Sequence, residues 1–137
     1  MGQSTSHTRA APRVLMIRLG PWLADRHEIE PGNYRAGIGY REGMSLTELV
    51  DATRAWWRIN PQRVAWEGIG HAVAVHRGIT RAAMVIGDWI QRDDGRWAFT
   101  AEPLTVGPVH DVWVGPSGRV IEFRKGNQSP VLYWPPQ

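Results

Sequence analysis

The pattern of apolar and polar positions predicts one main helix in the first half of the chain. The motif Ser45-Leu46-Thr47-Glu48 is a capping box, and apolar residues at helical spacing follow it. The pair Asn60-Pro61 ends this pattern, because the residue before a proline avoids the helical region. We therefore predict a helix over 45–58, and a second, short helix that begins at Pro61.

The remaining apolar segments have the length and spacing of strands. Residues 13–19 are nearly all apolar, which is typical of a strand buried on both faces at its centre. From residue 71 onward, short apolar runs alternate with turn motifs such as Asp93-Asp94-Gly95. The predicted hairpins are 71–76 with 79–86, 89–91 with 96–99, and 112–114 with 120–123. Segment 120–123 is also compatible with a helical turn, and 130–134 is predicted as a closing strand.

The stretch between the first strand and the main helix has no clear periodicity. Residues 20–43 contain several glycines and two prolines, and we predict an irregular loop there. Many short strands with few helices indicate an α+β fold. We expect a small curved antiparallel β-barrel with the main helix and the short helix packed on it. Residues 1–12 are predicted to be a disordered tail, and residues 13–137 a single domain.

Composition excludes several classes of protein and favours a polyanionic partner. The chain has 137 residues and no cysteine, so disulfides, zinc ribbons and thiol nucleophiles are excluded. No apolar run reaches the roughly 20 residues that span a bilayer, and we expect no membrane partner. The absence of cysteine and of a targeting segment favours the cytoplasm. A net charge of +3 and a pI near 9.9 fit binding to nucleic acid.

Two residue types sharpen this expectation. Arginine accounts for 15 of the 16 basic residues, and guanidinium groups suit bidentate contacts to phosphates and base edges. The chain also has 8 tryptophans against 2 phenylalanines and 3 tyrosines. These indoles either fill a small core or form a stacking surface.

Patterns typical of catalysis and metal binding are missing from the sequence. There is no Gly-x-Ser-x-Gly elbow, and the neighbours Asp93-Asp94 are explained by turn chemistry. His71 and His76 lie five residues apart on one predicted strand, so they point to opposite faces. We expect no metal and no cofactor, and we favour a protein that is not an enzyme.

The best candidate for binding is Arg54-Ala55-Trp56-Trp57-Arg58, at the end of the main helix. Trp57 continues the apolar stripe and is expected to anchor in the core. Trp56 lies about 100° around the helix from it and is available to line a cleft. Arg54 covers the same rim, since it lies three residues before Trp57. Trp89 is either a core residue or a second aromatic wall.

A second candidate is the polar run from Arg124 to Pro130. It is either an ordinary solvated loop or a site that contacts a nucleic-acid backbone. In the second case Arg124 and Lys125 supply charge, and Asn127 and Ser129 supply hydrogen bonds.

Much of the chain resembles a bacterial subgroup of the PUA-like superfamily, which includes the EVE, ASCH and YTH domains. The residues that carry the resemblance are segments 43–58, 72–79 and 126–133, together with Trp89. The resemblance implies a small curved barrel with a pocket between sheet and helix that reads a modified or flipped base. It implies a base pocket walled by Trp56 or Trp57 and by Trp89. It also implies backbone contacts from Arg124 and Lys125.

Three functions stay open at this point. The first is a nucleic-acid-binding module with a base pocket at Trp56, Trp57, Trp89 and Arg54. The second is a protein-interaction module that uses exposed tryptophan and arginine. The third is a small nucleotide-binding enzyme, with Asp88 or His76 as the catalytic group. In the first case the residues expected to bind the backbone are Arg58, Arg124, Lys125, Asn127 and Ser129.

Overall fold

The computed structural model describes residues 12–136, which form seven strands and three short helices. The strands are β1 (Val14–Arg18), β2 (Leu23–Glu30), β3 (Asn33–Ile38), β4 (His71–His76), β5 (Ile79–Gln91), β6 (Trp97–Leu104) and β7 (Val131–Trp134). The helices are α1 (Leu46–Thr53), α2 (Pro61–Trp66) and α3 (Pro108–Trp113). The tail predicted over 1–12 lies, except for Pro12, outside the described residues.

Five strands form one open sheet in the order β6-β5-β4-β1-β7, and β2 and β3 form a separate two-stranded ribbon. Strands β1 and β4 run parallel, with Leu15 opposite Ala72, and the other neighbours are antiparallel. The described residues are mostly β-structure with three short helices, and neither sheet closes, so the predicted α+β fold built on an antiparallel barrel is wrong, whether argued from the strand pattern or from the PUA-like resemblance. The sheet is open because its edge strands β6 and β7 do not pair with each other. It is not purely antiparallel because β1 and β4 are joined by a crossover connection that carries the ribbon, α1 and α2.

The sheet is covered on both faces. Leu15 of β1 packs with Leu49 of α1 on one face, and Met16 of β1 packs with Trp113 of α3 on the other. Leu15 and Met16 are fully buried. Since successive side chains of a strand point to opposite faces, an apolar run is what a strand between two layers requires. The prediction of a first strand buried on both faces is confirmed.

The helix starts and the tight turns are also confirmed. Ser45 accepts a hydrogen bond from the Glu48 amide at 3.1 Å, and the Glu48 carboxylate accepts one from the Ser45 amide at 3.1 Å, which completes the capping box of α1. Helix α2 begins at Pro61, with Asn60 as its N-cap. The first two predicted hairpins form, and they share β5 as one continuous strand. The closing strand forms as β7.

The main helix ends at Thr53, so the predicted range 45–58 is too long. Hydrogen bonds to β6 replace the helical ones after that point. The Arg54 carbonyl accepts from the Phe99 amide at 3.0 Å, and the backbones of Trp57 and Trp97 bond each other at 2.8 and 2.9 Å. Trp56 and Trp57 therefore lie in an extended segment beside the sheet, and the helical angle between them does not apply.

Two further predictions are wrong. Residues 23–38, predicted as irregular, form the β2–β3 ribbon, whose strands are exposed over most of their length. The buried positions of β3 are Arg35 and Gly37, neither of which is a large apolar residue, so the apolar alternation that reveals a strand is absent. The third hairpin does not form: residues 108–113 are α3, with Pro108 in the first turn, and Val120 makes only an isolated bridge to Ile79.

Candidate functional site

Three adjoining cavities run from the β2–β3 ribbon to β7. The ribbon cavity, about 260 Å³, lies between the ribbon, the end of α1 and the β5–β6 turn. The central cavity, about 500 Å³, shares Trp56, Trp57 and Arg96 with it. The terminal cavity, about 530 Å³, shares Arg58 and Ser129 with the central cavity. Neighbouring cavities share lining residues, and we call the three together the arginine groove.

The arginine groove has a large excess of positive charge. Among residues 12–136, six arginines and one carboxylate line it. The arginines are Arg13, Arg35, Arg58, Arg63, Arg92 and Arg96, and the carboxylate is Glu67. Hydrogen bonds from Arg63 and Arg13 hold the pKa of Glu67 below its ordinary value, so this single carboxylate is already paired. A concave surface with this balance concentrates anions.

Trp56 lines both the ribbon cavity and the central cavity. Its ring is half-buried against the cluster of Ile29, Ala55 and Ala98, and the Arg92 guanidinium lies 5.0 Å from the ring centroid. Its indole Nε1–H is buried and has no hydrogen-bond partner among the described residues. A buried donor of this kind is unusual in a folded protein, because losing water without replacement costs free energy.

Trp57 combines a structural role with a place in the groove. Its indole Nε1–H donates to the Thr53 carbonyl at 2.7 Å, at the end of α1. The ring packs against the core beneath the helices and also lines the ribbon and central cavities. Trp57 thus satisfies the last carbonyl of α1 and also forms a wall that the two cavities share.

Arg54 lies under the groove rather than on it. Only 4% of its surface is exposed, and it pairs with Glu30 of β2 at 2.5 Å and with Asp51 of α1 at 3.1 Å. It also donates to the Phe99 carbonyl of β6 at 3.0 Å. Arg54 therefore ties the ribbon, α1 and the sheet together, and it is absent from the lining of the three cavities.

Trp89 is placed in the aromatic part of the core. Its ring meets Trp97 edge to face at 6.4 Å and Phe99 at 5.4 Å between centroids. It packs against the residues beneath α1 and is absent from the lining of the arginine groove. The second aromatic wall expected at Trp89 is therefore not brought together with Trp56.

The loop before β7 brings Asn127 and Ser129 to the terminal cavity. Arg18 of β1 positions this loop by donating to the Asn127 carbonyl at 2.6 Å and to the Ser129 carbonyl at 2.6 and 3.0 Å. The Asn127 side chain accepts from the Ser129 amide at 3.0 Å, which is an Asx turn. Arg18 is a positioning residue that the sequence analysis did not identify.

The three cations expected to contact a backbone lie in different places. Arg58 is exposed and lines both the central and the terminal cavity. Arg124 lines a fourth cavity beside Phe123 and Trp134, which shares Asn127 and Tyr133 with the terminal cavity, and Lys125 is exposed in a turn. Of the three cations, Arg58 lines the arginine groove itself, and Arg124 lies in the cavity that adjoins its terminal end.

The groove contains arginines that sequence reasoning missed. Arg35 comes from the ribbon, a region predicted as loop, so nothing indicated its position. Arg92 and Arg96 flank the β5–β6 turn, and Asp94 binds Arg92 at 2.6 and 3.2 Å. Arg92 lowers the pKa of Asp94 to about 2, so this carboxylate stays ionised and holds the guanidinium at the turn. The sequence feature that could have indicated Arg92 and Arg96 is their symmetric placement on either side of the Asp-Gly turn.

Other kinds of site are not visible in the described part of the chain. Residues 12–136 contain no group of three or more histidines and carboxylates that could hold a metal ion. None of the helices formed there has the length and hydropathy needed to cross a membrane. Comparisons with protein-family models, with curated proteins and with solved structures give no match.

Proposed function

We propose that the arginine groove binds single-stranded nucleic acid, with an unpaired base stacked at Trp56 and Trp57 and the phosphates on the surrounding arginines. The observation that carries the proposal is the wall formed by these two indoles between the ribbon and central cavities, with arginines on both sides. Aromatic rings next to guanidinium groups are the usual means of holding a strand of any sequence.

The dimensions of the groove favour an unpaired strand over a duplex. The indoles are half-buried inside a groove, so a base reaches them only when it is free to leave its stack. The central cavity, at about 500 Å³, lies within the range of pockets that enclose small organic groups. A flipped or modified base from a longer strand is therefore the proposed occupant of the central cavity.

The test is a titration of the protein with short DNA and RNA strands, single and double, with and without modified bases, followed by fluorescence anisotropy. Trp56→Ala is expected to weaken binding of single strands about 5- to 150-fold, since stacking contributes about 1–3 kcal/mol per base. Trp66→Ala is the matched control, because Trp66 is 87% exposed on α2 and outside the groove. It is expected to bind like the parent protein.

Absence of saturable binding at low salt contradicts the proposal. Equal loss of affinity in Trp56→Ala and in the control contradicts it as well, because the groove would then not be the contact surface. The first result favours the protein-interaction alternative, for which Trp66, 87% exposed, is the candidate contact.

A further inference from the structure

The ribbon cavity contains a buried cation with no counter-ion in contact. Arg35 of β3 is 7% exposed. Its terminal nitrogen donates to the Ala55 carbonyl at 2.6 Å, while its Nε has no partner among the described residues. Within residues 12–136 no carboxylate lies within 4.0 Å of this guanidinium. A buried arginine is normally paired, because an isolated charge is costly to remove from water.

The charges around Arg35 do not relieve this cost. Burial lowers the pKa of Arg35 below its ordinary value, and the positive charges of Arg92 and Arg54 act in the same direction. Asp25 and Asp51 act in the opposite direction from beyond ion-pair distance. Arginine nevertheless remains protonated in proteins, so the site keeps its positive charge. An anion in the cavity would supply the missing partner.

A second unsatisfied donor belongs to another residue that lines this cavity. The Nε1–H of Trp56 is buried without a partner, and both Trp56 and Arg35 line the ribbon cavity. Arg92 and Arg96 line it too, and the Asp94 carboxylate that pairs with both is not among the lining residues. The orphaned donors of Arg35 and Trp56, together with the guanidinium groups of Arg92 and Arg96, match an acceptor with several oxygens.

We propose that the ribbon cavity is a phosphate-binding site that takes a phosphate monoester, with Arg35 and Trp56 as hydrogen-bond donors and Arg92 and Arg96 as rim cations. A monoester carries about 1.5 to 2 negative charges at neutral pH, against one for the diester within a strand, so it suits this cluster better. The cavity of about 260 Å³ has the volume of roughly nine waters, which is larger than the volume of a phosphate group.

The source of the phosphate is the part of this inference that rests on the proposed function. The ribbon cavity is at one end of the arginine groove, so the phosphorylated end of a bound strand can reach it. Free inorganic phosphate has the same chemistry. The two sources are separated by testing inorganic phosphate alone and by comparing strands with and without a terminal phosphate.

The first experiment titrates the whole protein with inorganic phosphate at constant ionic strength and follows intrinsic tryptophan fluorescence and Tm. Saturable binding and a rise in Tm are expected for the parent protein. Arg35→Met and Trp56→Phe are expected to lose at least tenfold in phosphate affinity. Trp56→Phe keeps an aromatic side chain and removes the N–H donor together with the five-membered ring, so it tests the site even where Arg35→Met folds poorly. Arg77→Met, in the exposed β4–β5 turn and outside the cavity, is the control and is expected to keep parental affinity.

The second experiment compares one short strand with and without a terminal phosphate. The parent is expected to bind the phosphorylated strand at least fivefold more tightly, and Trp56→Phe to lose that preference. Phosphate binding without any strand binding supports the site and overturns the proposed function. Strand binding that ignores both inorganic phosphate and the terminal phosphate overturns the site and leaves the proposed function standing.

Discussion

Trp56 and Trp57 are neighbours in the chain but differ in hydrogen bonding. The Nε1–H of Trp57 is satisfied by the Thr53 carbonyl, whereas that of Trp56 is buried without a partner. Both rings touch the core and both line the groove. Trp57, whose N–H is already bonded, holds the wall of the groove in place. Trp56 still has an N–H donor left for a ligand.

Arg54 and Arg58, which flank the two tryptophans in the chain, differ in burial and in ion pairing. Arg54 is buried in ion pairs with Glu30 and Asp51, while Arg58 is exposed in the groove. We expect Arg54→Met to lower the free energy of unfolding by about 2–3 kcal/mol, because it removes the hydrogen bonds to Glu30, Asp51 and the Phe99 carbonyl and leaves two half-buried carboxylates without their cation. Urea unfolding of the variant and the parent measures this loss.

The control is Arg58→Met, which is expected to unfold like the parent and to bind nucleic acid less tightly. Arg54→Met is expected to bind like the parent under conditions where it is folded. Parental stability in Arg54→Met would show that the pairs contribute little, and the assignment of Arg54 to the scaffold would fail.

At the scale of elements, Glu67 joins α2 to the start of β1. It follows the helix as its C-cap and pairs with Arg63 of α2 and with Arg13 just before β1. These pairs lower the pKa of Glu67 from its ordinary value of 4.5. A depressed carboxyl pKa stabilises the folded state above the unfolded pKa, and that stabilisation is lost as the pH falls through the folded value.

We therefore expect the parent to be more stable than Glu67→Gln at pH 7, with the difference shrinking below a pH of about 4.5. Urea midpoints at pH 7 and pH 3 measure the effect. Asp88→Asn is a comparison variant, because Asp88 is exposed outside the groove. A difference between parent and Glu67→Gln that stays constant across this range would show that the pairing makes no contribution.

The element scale also separates what was predictable from what was not. The starts of α1 and α2 and the turns at Arg77-Gly78 and Asp93-Asp94-Gly95 were predicted, because each depends on side chains within a few residues of the backbone they cap. The end of α1 was not, because Phe99 and Trp97 of β6 bond the segment after Thr53. The ribbon was missed because its strands bury almost no apolar face.

At the scale of the whole molecule, the groove gathers cations from distant parts of the chain. They come from the segment before β1, the ribbon, the segment after α1, α2 and the β5–β6 turn, and they are Arg13, Arg35, Arg58, Arg63, Arg92 and Arg96. Binding of a single strand there is expected to weaken with salt, because each neutralised phosphate releases counterions. The logarithm of affinity is expected to fall linearly with the logarithm of salt concentration.

Each groove arginine that contacts a phosphate contributes about 0.7 to this slope. Arg58→Ala and Arg96→Ala are each expected to reduce the slope by about that amount, whereas Arg77→Ala leaves it unchanged. Binding measured at four salt concentrations gives the slopes. Identical slopes in all three variants would mean that the strand lies elsewhere on the protein.

The sequence by itself determined the local elements and the chemical character of the chain. Capping, turns and the doubly buried β1 follow from neighbouring residues, and the arginine and tryptophan content already favoured an anionic partner. Only the tertiary structure decided that the sheet stays open, that Arg54 and Trp89 belong to the scaffold, and that Arg35 joins Trp56 in one cavity. These outcomes depend on the parallel pairing of β1 with β4 and on hydrogen bonds between segments far apart in sequence. No periodicity or motif within one segment encodes such contacts.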